Sequence, residues 1–350
     1  MQNKENKLLT ANELSFFTGQ IALMLESGVS MYESIQALAV NFSNGEFKAP
    51  FALLLEEVEL GSTLAAAMAK AGIFPHYALK MTEIGETTGK LEYVMRSLSR
   101  HYDREYSLNV SLKNAVRYPA VLLAIMAVVV LVLNISVLPL FKQVLSNLGV
   151  ASSKLASTTM TIGTVIGIVA LILICAIFAV GFMLTALIKN GKRQKVIELA
   201  CRIVPSFAQL EKNIAAEQFL SVMSIALGAG YPPENAAEMC EELATSAPVA
   251  KKISTILKEQ AEDGSLSKAI TKSGLLDPLK ARMVEVGFMT GKADSVTLHV
   301  SKLYAEETDA LLTRLLALIE PSLVAVLAVI IGCILLTVML PLAGVMSSFI

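Results

Sequence analysis

The chain has 350 residues, a net charge of −1, 54% hydrophobic and 17% charged residues, and a mean hydropathy of +0.61. Soluble domains run near ~25% charged, so composition excludes disorder, collagen-like structure and an ordinary cytosolic enzyme. The near-neutral balance offers no basic footprint for nucleic acid, and no nucleic-acid partner is expected.

From the N-terminus the chain enters an amphipathic pattern with no apolar h-region of the kind that opens a secreted protein, so this end is expected in the cytoplasm. Leu14, Phe17, Ile21, Met24 and Leu25 recur at helical spacing until Gly28 stops the run. Ser30 and Glu33 form a capping box for the next helix. Gly61-Ser62 breaks the chain before a helix over Leu64–Ala71, which Gly72 closes. Pro75 starts another helix that ends near Gly85. From Lys90 a long helical pattern passes Leu98, Tyr102 and Leu108 up to Pro119. No stretch sustains the period-two alternation of a strand.

Three blocks then carry no charge at all: 24 residues between Arg117 and Lys142, 34 between Lys154 and Lys189, and 30 after Glu320. A helix needs about 20 apolar residues to cross a ~30 Å hydrocarbon core. The blocks predict transmembrane helices over 118–140, 162–188 and 320–346. Eleven Lys and Arg flank one side of these spans, among them Arg117, Lys189, Arg193 and Arg314; Lys142 and Lys154 flank the other. The positive-inside rule puts the eleven in the cytoplasm. Residues 1–117 and 189–319 become cytoplasmic domains, 141–161 an external loop, and the C-terminus external.

The two cytoplasmic domains are copies of one another. A constant offset of 202 pairs Phe17 with Phe219, Gly28 with Gly230, Leu64 with Leu266, Glu83 with Glu285, Gly85 with Gly287, Gly89 with Gly291, Lys90 with Lys292, Tyr102 with Tyr304, Pro119 with Pro321 and Pro139 with Pro341. The predicted fold is an all-α membrane protein with two repeated cytoplasmic helical bundles, about six helices each, and three transmembrane helices. The second span has no partner at this offset; it returns the chain to the cytoplasm.

Little in the sequence carries chemistry. Cys175, Cys201, Cys240 and Cys333 are far apart and form no CxxC pair. His76, His101 and His299 lack metal-ligand spacing, and each reads as a surface residue. No catalytic residue, cofactor or metal is expected. The sharpest local signal is Gly85-Glu86-Thr87-Thr88-Gly89-Lys90-Leu91 with its partner Gly287, Gly291 and Lys292. It is not a phosphate loop, because Leu91 stands where Ser or Thr is required and no strand precedes it. Gly85 closing one helix and Gly89 permitting the turn to the next is the structural reading; direct ligand contact is the alternative. Glu83 and Glu285 sit on separate copies, which argues against a paired acid and base. Asn134 falls inside the first span, where an amide either hydrogen-bonds a neighbouring helix or serves transport.

The duplicated unit, its stretch Pro75, Glu83, Gly85, Gly89 and Lys90, and its paired spans resemble the secretion-system F family of inner-membrane platform proteins. The motif Gly-Glu-x-x-Gly-x-Leu is met by Gly85, Glu86, Gly89 and Leu91, whereas the second copy has Phe288 and Ala293 in place of Glu and Leu. The start of the chain is similar to the short form in competence-type and Gram-positive pilus systems. The resemblance implies a non-enzymatic platform, a homo-oligomer in the bacterial cytoplasmic (inner) membrane. Its implied partners are a cytoplasmic hexameric secretion or pilus ATPase, pilin or pseudopilin subunits and other inner-membrane assembly proteins. The competing readings are a repeat-built transporter or permease and a membrane receptor with paired helical sensor domains.

Overall fold

The computed structural model describes residues 7–42, 47–147, 161, 164–176, 205–242 and 247–348. Most of the expected external loop, the second half of the second span and the basic segment around Lys195 lie outside these residues. Helices account for nearly all of what is described, and no strand occurs among these residues.

The first copy contains α1 (Ala11–Glu26), α2 (Met31–Asn41), α3 (Lys48–Glu59), α4 (Leu64–Ala71), α5 (His76–Thr87) and the start of α6 (Leu91–Val132). After a π-helical turn over Leu133–Val137, α7 (Leu138–Asn147) continues the same rod, and α8 (Thr164–Ala176) follows. The second copy contains α9 (Pro205–Gly228), α10 (Pro233–Glu242), α11 (Ala247–Asp263), α12 (Leu266–Lys272), α13 (Pro278–Met289) and α14 (Ala293–Ser348). Adding 202 to the bounds of α5 gives those of α13, and the starts of α2, α4 and α6 map onto the starts of α10, α12 and α14.

Local chemistry explains these bounds. Thr10 with Glu13, and Ser30 with Glu33, form complete capping boxes at α1 and α2. The turns that end α5 and α13 are superposable in their bonding. Gly89 and Gly291 have φ of +69° and +70°, where a side chain would be strained. The following Lys90 and Lys292 amides donate back to Gly85 O and Gly287 O, both at 2.9 Å. Gly85 and Gly287 serve a second need. A Cβ on Gly85 would lie 3.1 Å from Val94 Cβ, and one on Gly287 would lie 2.7 Å from Val296 Cβ. Glycine is what lets each short helix press against the long helix that follows it.

The molecule divides into two compact units, 1–110 with 205–309, and 111–204 with 310–350. The first unit holds both copies around one continuous apolar core, from Leu14 and Phe17 to Phe219 and Tyr304. The first copy fills its share with aromatics. Phe42 stacks on Phe51 at 4.2 Å, and Phe17 meets Phe74 at 5.0 Å. The second copy has aliphatic Ile253 and Leu276 at the positions of Phe51 and Phe74. In the second unit Leu123 and Met126 of α6 pack with Ile174 of α8 and with Leu323 and Leu327 of α14. The outward side chains of these segments, such as Ile125, Ile172 and Val329, are apolar and exposed. Among the described residues one helix, 91–141, is long and apolar enough to cross a membrane; Thr164–Ala176 and Pro321–Thr337 are shorter apolar stretches.

Candidate functional site, the seam between the two copies

Helix α6 of the first copy lies against α9 of the second, and the pairing order shows that they run antiparallel. Tyr93 meets Gly228, His101 meets Ser221, and Arg104 meets Glu217. The tyrosine hydroxyl comes so close to Gly228 that a Cβ there would collide with it. Lys90 Nζ donates to Gly228 O at 3.0 Å, tying the turn after α5 to the end of α9.

Arg104 is the centre of the seam. Its Nε donates to Glu217 Oε1 at 2.9 Å, its Nη1 to both carboxylate oxygens of Asp309 at 2.9–3.0 Å, and its Nη2 to Ala305 O at 3.0 Å. One planar guanidinium thus joins α6, α9 and α14, a geometry that lysine cannot supply. The Glu217 side chain is only 8% exposed. Burial raises its pKa, while the hydrogen bond from Arg104 opposes that rise. Its Oε2 has no partner.

His101 does not sit on the open surface. Its Nδ1 lies 3.3 Å from Ser221 Oγ, and its ring packs 4.6 Å from Tyr77 and 5.4 Å from Tyr102. Desolvation pushes its pKa down to about 4, so the ring is neutral near pH 7. The expectation of a surface histidine is corrected here; it fails because Tyr77 and Tyr102 of its own copy and Ser221 of the other close around the ring. His76 and His299 are exposed. Beside His101 a cavity of about 310 Å³ opens between α6, α9 and α14, with Arg100, Ser224 and Lys302 on its wall.

The residues singled out in the sequence occupy other places. Gly85 and Glu86 lie in the last turns of α5, which runs on to Thr87, so the expectation that Gly85 closes this helix is corrected: the positive φ falls at Gly89, Leu91 opens α6, and Gly287, Gly291 and Lys292 repeat the arrangement at α13–α14; of these residues Lys90 reaches the seam. Glu86 turns inward. Its two carboxylate oxygens accept from Leu64 N at 2.5 Å and Ala65 N at 3.1 Å, so it caps α4. Phe288 cannot repeat this at α12, whose N-cap Ser265 makes no side-chain cap bond either. Glu83 and Glu285 make ion pairs within their own helices, with Lys80 at 3.5 Å and Arg282 at 3.1 Å. Pro119 and Pro321 lie inside α6 and α14. Asn134 lies in the π-helical turn, donates to Val130 O at 3.0 Å, and rests on Gly167 of α8 where any Cβ would clash. No group of side chains suited to a metal occurs among the described residues.

Arg104, Glu217, Asp309 and His101 were invisible as a site because none belongs to a repeated motif. The signal was the reverse. Arg104 corresponds to Glu306, Glu217 to Ser15 and His101 to Leu303. Where the copies meet, they differ.

A duplicated helical unit whose final helices run on into apolar segments defines the class of protein: a two-copy scaffold, all-helical among the described residues. Residues 17–139 and 219–341 each match the family described as "Type II secretion system (T2SS), protein F", again 202 residues apart, and the chain belongs to that family. It is 24% identical over 337 residues to the type IV pilus assembly protein PilC of Thermus thermophilus, covering 96% of this chain and 83% of the relative. The PilC protein of Pseudomonas aeruginosa is 22% identical, with 94% and 89% covered. The type II secretion system protein F of Aeromonas hydrophila is 22% identical, with 95% and 86% covered. These are components of assembly and transport machines, not enzymes.

Proposed function

We propose that the chain is the platform protein of a type IV pilus or type II secretion machine in the bacterial inner membrane, coupling a cytoplasmic hexameric ATPase to the insertion of pilin or pseudopilin subunits into a filament. The observation that carries this reading is the continuity of α6 and α14. Each begins in the first unit, with its packed core, and ends in the second, whose outward face is apolar. Such a face suits lipid, because helices satisfy their own backbone groups there. The proposed spans are 118–140, 162–188 and 320–346, with the basic flanks in the cytoplasm. The seam makes the two copies one body for the ATPase to act on.

The test has two arms. Reporters fused after Lys195 should be cytoplasmic, and reporters within 147–154 or after Ile350 should be external. Deleting the chain should abolish filament assembly or secretion while ATPase and pilin levels persist. An external reporter at Lys195, or normal filaments without the chain, would contradict the reading.

A further inference from the structure

The two copies join head to tail, and that leaves one head and one tail uncovered. In the first copy the head, α5 and α6, is buried at the seam; in the second copy the tail, α9, is buried there. The remaining faces are exposed where their counterparts are not. On the free tail, Leu23 is 57% exposed, while its counterpart Ile225 is 4% exposed; Phe16 beside it is 44% exposed. On the free head, Val286 is 55% exposed against 6% for its counterpart Ile84, and Leu279 is 76% exposed where Tyr77 is half-buried beside His101.

We propose that a second copy of this chain docks here, with the α13–α14 face of one molecule covering the α1 face of the next. A helix of α1 type is already shown buried under a helix of α6 type, and among the described residues α14 is the further copy of that helix. Shifting the seam pairs by 202 gives the new contacts. The Lys90–Gly228 pair becomes Lys292 facing Glu26, opposite charges where the seam had a carbonyl. Leu303 falls over Gly19, in place of His101 over Ser221. Leu23 comes to lie against the turn of α14 that carries His299. Glu26 already pairs with Arg96 at 2.7 Å, but Arg96 also holds Glu92 at 2.7 Å and does not depend on it. A contact of this kind is heterologous, so it closes into a ring or propagates as a filament and does not form a two-fold dimer. The inference rests on the repeat and its exposed faces, independently of the machine the chain serves.

The experiment uses the full chain in its native membrane with the four cysteines replaced. Leu23→Cys and His299→Cys are placed on separately tagged chains and co-expressed, and disulfides are formed by mild oxidation. A His101→Cys, Ser221→Cys chain, which bridges the seam, reports that the oxidation works and that the fold is kept. The expected product is the mixed Leu23→Cys with His299→Cys dimer, at least tenfold above either homotypic dimer. Adding Val286→Asp should reduce that product at least fivefold while leaving the seam bridge intact. Homotypic Leu23→Cys dimers in comparable yield would overturn the proposal in favour of a two-fold contact. Cross-linking of Leu23→Cys only to a different protein, or no mixed dimer while the seam bridge forms, would overturn it as well.

Discussion

Helices α1 and α9 hold the same place in their copies, yet α1 keeps an exposed face and α9 has almost none. The apolar pattern that builds the copy's own core is shared, as Phe17 and Phe219 show; both are buried. What differs is the opposite face, where α9 carries Glu217, Ser221 and Ile225 in place of Ser15, Gly19 and Leu23. The extra neighbour, α6, accounts for the change. Duplication supplies two identical folds, and divergence at one face turns them into a single body.

Breaking the seam should have the largest effect. Arg104→Ala leaves Glu217 buried without its cation, which costs about 3–5 kcal/mol; the partial exposure of Arg104 points to the lower end. Glu306→Ala, at the matching position of the second copy, is exposed and should stay within about 0.5 kcal/mol. Unfolding of the detergent-solubilised full chain reads both.

Acid should loosen the same place. Folded His101 titrates at about 4 against 6.5 for an unperturbed histidine. Between those values the unfolded chain binds more protons, so the stabilisation is complete above about 6.5 and is lost as pH falls toward 4. The loss is up to about 3 kcal/mol. Glu217, with its raised pKa, contributes in the opposite direction over its own range, so the comparison must be with His101→Gln. The pH dependence of Tm should be steeper for the natural chain than for that variant between 6.5 and 4, while Leu303→Gln at the matching position leaves it unchanged.

The turns, by contrast, should respond alike. Gly89→Val and Gly291→Val each place a β-branched residue at positive φ with no steric contact nearby, and each should cost about 1–3 kcal/mol. A clear inequality in melting would show that one copy tolerates a different turn. Smaller still is the Glu86 cap. Glu86→Ala should cost about 1 kcal/mol, read by the denaturant midpoint.

Much of this was legible in the sequence. The 202-residue offset, the glycine turn at Gly89 and the Ser30–Glu33 capping box are local or periodic, and local chemistry sets them. The bond from Lys90 to Gly228 could not be read, because it depends on how the copies pack. The same holds for Arg104 and His101. A buried contact between residues 113 positions apart, such as Arg104 and Glu217, leaves no trace in spacing. It leaves only a mismatch between two otherwise matching copies, and that mismatch becomes informative once the repeat is aligned with itself.

The most direct measurement of the claim that one charged seam fuses the two copies is a double-mutant cycle on Arg104→Ala and Glu217→Ala in the full chain. Independent sites add within about 0.3–0.5 kcal/mol. Coupling above about 1.5 kcal/mol, with Arg104→Ala costing more than Glu217→Ala, is the predicted result. Additivity of the two substitutions would contradict it.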